Sequence, residues 1–472
     1  MIDVLHSLEQ IAGELVAELE RRFPYAAALI TDTSGIHIHD TGGEQNAGEA
    51  TPSRGIVFTV YDGASFEEYA AGSIAPGTLD VLAHDVRGWA RGLAPVTSDP
   101  QACAIVGAGH ATLAGRDTRE FHTLMQIDPA TVPLVDKLAH VRYMQQRAQV
   151  LDRRIVQAQV NYSDTTTDSI YIGRGRHLRQ RITRTLLAAL VAVSDGATVR
   201  HHYLLRGGAA GHEVARITDN DLRHLADVAL RLLEAGKVEP GEYEIVTDPS
   251  VSGVIAHECF GHGVELDLFP KGRARAAHYL NRQVAARTLQ MYDDPGISGA
   301  FGAYFFDDEG ELARPTQILR DGVLVRPISD FASATYAPGI HTANGRRQDI
   351  TRKPYARMSN TFFAPGASAP DDIIAGVERG IYLRQAESGM EDPMGWGVQV
   401  TAHYGEEIVA GRLTGRLFTP VGISGNVSDL LRSISAIGDD FELHAGFCGK
   451  GHKELVPVST GGPHLRMKAR LG

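Results

Sequence analysis

Residues 254–267 read VIAHECFGHGVELD, which sets His257, Glu258 and His262 in an H-E-x-x-x-H arrangement. Two imidazoles can hold a divalent metal, and the carboxylate between them can carry a proton. That is the minimum donor set for metal-assisted hydrolysis. Far downstream, Cys448 lies in HAGFCGKGHKE. Gly446 and Gly449 allow close backbone approach there, Lys450 favours a thiolate, and a soft sulfur is a candidate third ligand. Cys259, inside the motif, points to another helix face from His257 and reads as packing.

The spacing constrains the local backbone. The familiar zinc helix places its histidines four residues apart, on one face. Here the separation is five, which rotates the second side chain off the first in a regular helix. Two solutions are open: a single π-type widening, or a helix that ends so that His262 swings in from a turn between Gly261 and Gly263. In either case Glu258 adjoins the first ligand, where it can take a proton from water and pass it to a leaving amine.

The elements that must position these residues suggest an α+β fold, with a mixed α/β N-terminal domain over 1–238 and a β-rich C-terminal domain over 239–472 carrying the metal-site helix. The boundary falls at EPGEY. Leu5, Leu8, Ile11, Leu15 and Leu19 recur at helical spacing. Further helices are expected over 80–93, 132–154, 222–236 (ending on Gly236) and 430–437, and a helix running into a strand over 371–383. Strands are expected over 26–31, 36–40, 55–62 and 243–248, with a loop over 41–54 and a β-rich passage from 155 to about 206. Pro249 and Ser250 open the helix that carries His257 and Glu258. Residues 303–328 read as a meander turning at Asp307-Asp308-Glu309-Gly310 and Asp321-Gly322.

Bulk properties narrow the function classes. The chain has 472 residues, 43% hydrophobic and 22% charged, with a net charge of −11. That balance argues against nucleic acid as the main partner. The basic stretch 174–184 reads as a solvated face. Three cysteines do not make a disulfide framework. The N-terminus is not a signal peptide, and LLAALVAV (186–193) is too short to span a bilayer. A soluble, cytoplasmic protein with no membrane partner is the expectation.

Other constellations are weaker. No G-x-S-x-G elbow occurs, which disfavours a serine hydrolase. GRGRH and GAGHA lack the full phosphate-loop pattern. Asp293-Asp294 and Asp307-Asp308-Glu309 could take a hard cation, but turn chemistry explains them more simply. Asn344 to Arg347, with Arg352 and Arg357, could hold a carboxylate such as a peptide terminus, or form a solvated loop. Trp396 reads as packing.

Several stretches in series carry a resemblance: AHECFGHGVELD at 256–267, YDDPGISGAFGAYFFDDEG at 292–310, ANGRR at 343–347, RMSNTFFAPG at 357–366 and FCGKGHKELVPV at 447–458. On these the chain resembles the TldD/PmbA (modulator of DNA gyrase) family of metallopeptidases, and within it the TldD-type metal-binding subunit. The resemblance implies that His257, His262 and Cys448 hold one zinc ion, and that Glu258 is the catalytic acid/base. It implies hydrolysis of extended or unfolded peptides laid along a sheet edge inside a cavity, by a homodimer or a heterodimer with a related subunit. An alternative is an amide hydrolase or transferase acting on a small intermediate of a natural-product pathway. A non-catalytic peptide-binding partner is disfavoured, because such subunits lack the H-E-x-x-x-H and the cysteine. The chain departs from the family pattern at His452, at Ala343 in ANG and in GVELD, close to the inferred site, and these departures bear on substrate.

Overall fold

A computed structural model describes residues 2–50, 53–95, 117–173, 175–337, 339–451 and 454–472. Cys103, the GAGHA stretch and His452 lie outside these residues. Helices and extensive sheets make an α+β fold. Among the described residues no helix is long and apolar enough to cross a membrane.

The first sheet has eight strands: β1 (Tyr25–Asp40), β2 (Gln45–Glu49), β3 (Ser53–Tyr61), β4 (Phe66–Gly72), β5 (Asp117–His122), β6 (Ile155–Gly173), β7 (Arg176–Ser194) and β8 (Val199–Gly208). Its order is β4-β3-β1-β6-β7-β5, with β2 beside β1 and β8 beside β7. Alternate residues of β1 explain why it sits in the middle. Ala26, Ala28 and Ile30 pack with Leu8 and Leu15 of the first helix, Ile2–Leu19. Tyr25, Ala27 and Leu29 pack on the other face with Phe306 and Phe331 from the second half of the chain. Both faces are therefore buried, and the apolar run is continuous rather than alternating. Helices Leu134–Gln149 and Asp219–Leu232 cover β6 and β7.

The second half forms two further large sheets. One has six strands in the order β12-β11-β10-β15-β22-β21. These are β10 (Met291–Asp293), β11 (Thr316–Arg320), β12 (Val323–Leu324), β15 (Asn360–Phe363), β21 (Glu442–Lys450) and β22 (Glu454–Gly462), with β13 (Gly345–Arg346) and β14 (Tyr355–Ala356) a separate pair. The other holds β9 (Gly241–Thr247), β16 (Arg379–Glu391), β17 (Gly397–Val409), β18 (Arg412–Phe418), β19 (Val421–Asn426), β20 (Ala436–Ile437) and β23 (Leu465–Leu471). Its pairings run β16-β9-β23-β19-β17 and return to β16, so five strands close on themselves. The largest apolar core lies among these strands and includes Ile255, Phe260 and Leu383.

Several sequence expectations are corrected. The loop expected over 41–54 contains β2, because the second half of β1 needs a partner and the polar QNAGE supplies only backbone bonds (Ile36 to Asp40 pair with Glu49 to Gln45). The helix expected over 430–437 is Val427–Arg432, started by the Asn426 side chain accepting from Ser428 N–H. The helix expected to end on Gly236 runs Asp219–Leu232, opened by a capping box of Thr218 and Asp221, and Gly236 bridges to Phe418 instead. The meander over 303–328 reduces to the hairpin β11–β12, whose turn has Asp321 and Gly322 at φ 52° and 71°. The basic stretch is not simply solvated. Arg179 pairs with Glu9 and Arg181 with Asp168, while Arg184 donates to the carbonyls of Phe301 and Ala303.

Candidate metal centre

The helix Pro249–Val254 starts on an Asp248 N-cap, whose Oδ1 accepts from Val251 N–H at 2.9 Å. Over Ile255–Gly261 it widens into a π-helix, and the N–H of His262 bonds to the carbonyl of His257, five residues back. One turn of 3-10 helix, His262–Val264, follows. The widening brings positions 257 and 262 to the same side, with ring centroids 5.1 Å apart and planes at 87°. Of the two solutions open from sequence, the chain uses the π-type one. The glycines serve packing: a Cβ at Gly261 would collide with Met358 Sδ, and one at Gly263 with Glu391 Oε1.

Cys448 comes from β21, the edge of the six-stranded sheet, where it pairs with Val456 of β22. Its Sγ lies 3.6 Å from His262 Nε2. One donor atom from each of His257, His262 and Cys448 falls within 4.8 Å of the others. Arg357, fully buried, secures this hairpin by donating to the carbonyls of Cys448 and Glu454 at 2.7 and 3.1 Å. Burial would raise the Cys448 thiol, but the two imidazoles outweigh it and pull the thiol well below its ordinary value. Burial would likewise lower His262, but the Cys448 sulfur and Glu265 hold it well above. His257 Nδ1 is buried without a hydrogen-bond partner among the described residues. Two imidazoles and a thiolate-prone cysteine meeting in a buried spot, with a ring nitrogen that no described group satisfies, fit a zinc-type cation.

Around the donors stands a layer of charged side chains. Glu265 is buried and sits 3.3 Å from His262 Nδ1, which orients the ring so that Nε2 faces Cys448. Burial opposes its charge, but Lys450 and His262 hold its carboxyl down to about 2. Lys450 is shared between Glu265 at 3.0 Å and Asp267 at 2.7 Å. It therefore neutralises these carboxylates, and the imidazoles rather than Lys450 favour the thiolate. The carboxylate of the half-buried Glu391 is tucked beside Gly263, and burial holds it well above the usual range. The only sequence signal for Glu265 is its position three residues beyond His262.

Glu258 is partly exposed, with Oε2 4.0 Å from His262 Nε2. Gly389 makes room for it, since a Cβ there would strike Glu258 Cγ. His257 and Glu258 line a cavity of about 560 Å³ together with Asp248, Glu387, Gly446 and Phe447.

The remaining sequence candidates are structural. Cys259 is fully buried in the core and its thiol is pushed well up by burial. Asp293 accepts from Asn344, Ser359 and Thr361, and Asp307 from the backbone of Glu309, Glu311 and Gly345. Arg346 donates to the carbonyls of Met358 and Pro457, and Arg347 to Glu68 and the carbonyl of Arg352. Arg352 lies 3.8 Å from Glu454. This segment is a brace between the two halves, neither a solvated loop nor a carboxylate clamp. Trp396 packs against Tyr279 and under Arg275.

Residues 240–470 match the PmbA/TldA metallopeptidase C-terminal domain. A protein of Methanothermobacter thermautotrophicus named a metalloprotease is 33% identical over 344 residues, covering 72% of this chain and 74% of that protein. A protein of Saccharolobus solfataricus named a zinc metalloprotease TldD homolog is 27% identical over 292 residues, covering 58% of this chain and 65% of that one. The crystal structure of TldE from Thermococcus kodakarensis superposes with a TM-score of 0.72 at 15% identity, over 98% of this chain and all of that one (100%). The fold is therefore shared along nearly the whole chain.

Proposed function

Because the chain belongs to the PmbA/TldD metallopeptidase family, we propose that it is a zinc-dependent peptidase acting on extended or unfolded peptides. His257, His262 and Cys448 are the ligands and Glu258 is the general acid/base. One observation carries the reading: donors separated by 186 residues of chain converge within 4.8 Å beside a carboxylate that faces an open cavity. Zinc held there supplies Lewis acidity and lowers the pKa of a coordinated water toward about 7.

The chain's own residues do the rest. Glu265 holds His262 in the tautomer that keeps Nε2 free to ligate. Glu258 takes the proton from the attacking water on a carboxylate oxygen and delivers it to the leaving amine nitrogen. The outer edge of β21 pairs with no strand among the described residues, and Gly446 and Phe447 of that strand line the cavity. An extended substrate backbone added there is brought alongside Cys448. A related subunit, or a second copy, completes the assembly, a reading supported by the likeness to TldE. The cavity volume also suits a small amide substrate, which keeps that second reading.

Glu258→Ala tests the assignment. Zinc content should stay at the wild-type level while cleavage of unfolded peptides, followed by mass spectrometry, falls by about 10²- to 10⁴-fold. Wild-type cleavage by the purified variant sinks the mechanism. Turnover of small amides without any peptide cleavage would select the second reading.

A further inference from the structure

A second group of metal-type donors stands apart from the centre described above. His201 on β8, Glu387 on β16 and His403 on β17 each place one donor atom within 4.8 Å of the others. His403 is buried, and its Nε2 lies 3.0 Å from the carbonyl oxygen of His201. That nitrogen must carry the hydrogen, which leaves the lone pair on Nδ1. Nδ1 in turn faces Glu387 Oε1 at 2.6 Å. At this separation the two groups share a proton, which zinc would displace on binding as the pair opens to the spacing of about 3 Å between two donors on one ion. His201 supplies a third donor. A ligating imidazole whose other N–H donates to a backbone carbonyl is the usual outer-shell arrangement.

The backbone is arranged around Glu387. The β16–β17 register shifts between Ala386 and Ser388, so Glu387 is the extra residue of a bulge, a device that re-aims a side chain. Gln385, just before it, adopts φ 58°, an uncommon conformation for a non-glycine residue. Its side chain donates to the Tyr203 carbonyl, and the Tyr203 hydroxyl donates to the Ala386 carbonyl, both at 2.8 Å. His202, buried, stacks on His403 at 5.2 Å and has an Nδ1 with no hydrogen-bond partner among the described residues.

We propose that His201, Glu387 and His403 form a second zinc site, which clamps β8 of the first sheet to the β16–β17 hairpin at the wall of the cavity. Two imidazoles and one carboxylate are a donor set that zinc accepts and that disfavours magnesium or calcium. The assignment goes beyond the peptidase reading and does not depend on it.

Metal analysis after equilibration with zinc and removal of the excess tests it. Wild type should hold about two zinc ions per chain, Cys448→Ala about one, His201→Ala about one, and the double variant none. Because His201 is exposed and its loss leaves the Glu387–His403 pair in place, His201→Ala should fold. Cobalt(II) gives a second readout in Cys448→Ala. It should produce visible d–d bands without the near-ultraviolet thiolate charge-transfer band, and His201→Ala added to that variant should abolish them. Saturation of wild type at one ion that Cys448→Ala loses, or equal metal in Cys448→Ala with and without His201, overturns the site. If instead metal stays at His201 while the thiolate band is missing from wild type, the peptidase centre fails and this site stands.

Discussion

His257 and His262 come from one widened helical segment, with Cys448 reaching them from the edge of a neighbouring sheet. His201, Glu387 and His403 come from three strands in two sheets. The first cluster is buried: His257 and Cys448 are 3% and 2% exposed. The second leaves His201 and Glu387 open to solvent. The difference has consequences for charge. Around the first cluster every buried charge needs a partner, and the Glu265–Lys450–Asp267 chain supplies partners for one another and for His262. Around the second, water can do that work, and no such chain of buried charges occurs there among the described residues. On the proposed assignments, the buried cluster would hold its ion more permanently than the open one.

The comparison can be broken or sharpened by experiment. The largest effect is expected from Cys448→Ala, which should abolish peptide cleavage and remove about one zinc ion per chain, leaving the open cluster loaded. Loss of both ions would show that the two clusters are not independent. Glu265→Gln should weaken zinc binding at the buried cluster by about 10- to 100-fold, read by competition with a chelating dye, without changing the open one. Gly261→Ala forces a methyl group against Met358 and should lower unfolding stability by about 1–3 kcal/mol in urea titrations of the zinc-loaded protein. An unchanged midpoint would mean that the π-segment yields easily. His201→Ala should be the mildest, shifting stability by under about 0.5 kcal/mol in chelator, and erasing only the part of the thermal midpoint that rises with added zinc in Cys448→Ala.

The legibility of the two clusters in the chain follows the same division. H-E-x-x-x-H is local, and a helix that must gain one residue per turn to align positions 257 and 262 can be inferred from spacing alone, although the choice between widening and termination cannot. Cys448 stands out by its glycine setting and by the resemblance, and the fold brings its Sγ to 3.6 Å from His262 Nε2. Lys450 was misread as its activator, because nothing along the chain says that Glu265 and Asp267 lie nearer to the ammonium. Asn344 to Arg347 were open to two readings for a related reason. An arginine that caps backbone carbonyls and one that awaits a ligand look the same in sequence. His201, Glu387 and His403 carry no motif, since strand pairing brings them together from distant positions and a bulge turns Glu387 toward its neighbours.

By itself the sequence determined the donor types, the pairing of two histidines with a carboxylate on one helical segment, and the apolar periodicities that make helices and strands inevitable around them. Those are short-range matters, set by side-chain chemistry and by the residue repeat of each element. Only the tertiary structure decided which sulfur meets which ring, which buried carboxylate keeps its charge, and which strand edge stays unpaired among the described residues. Each of these depends on long-range packing and on the local dielectric that burial creates, and neither quantity belongs to any stretch of chain taken alone.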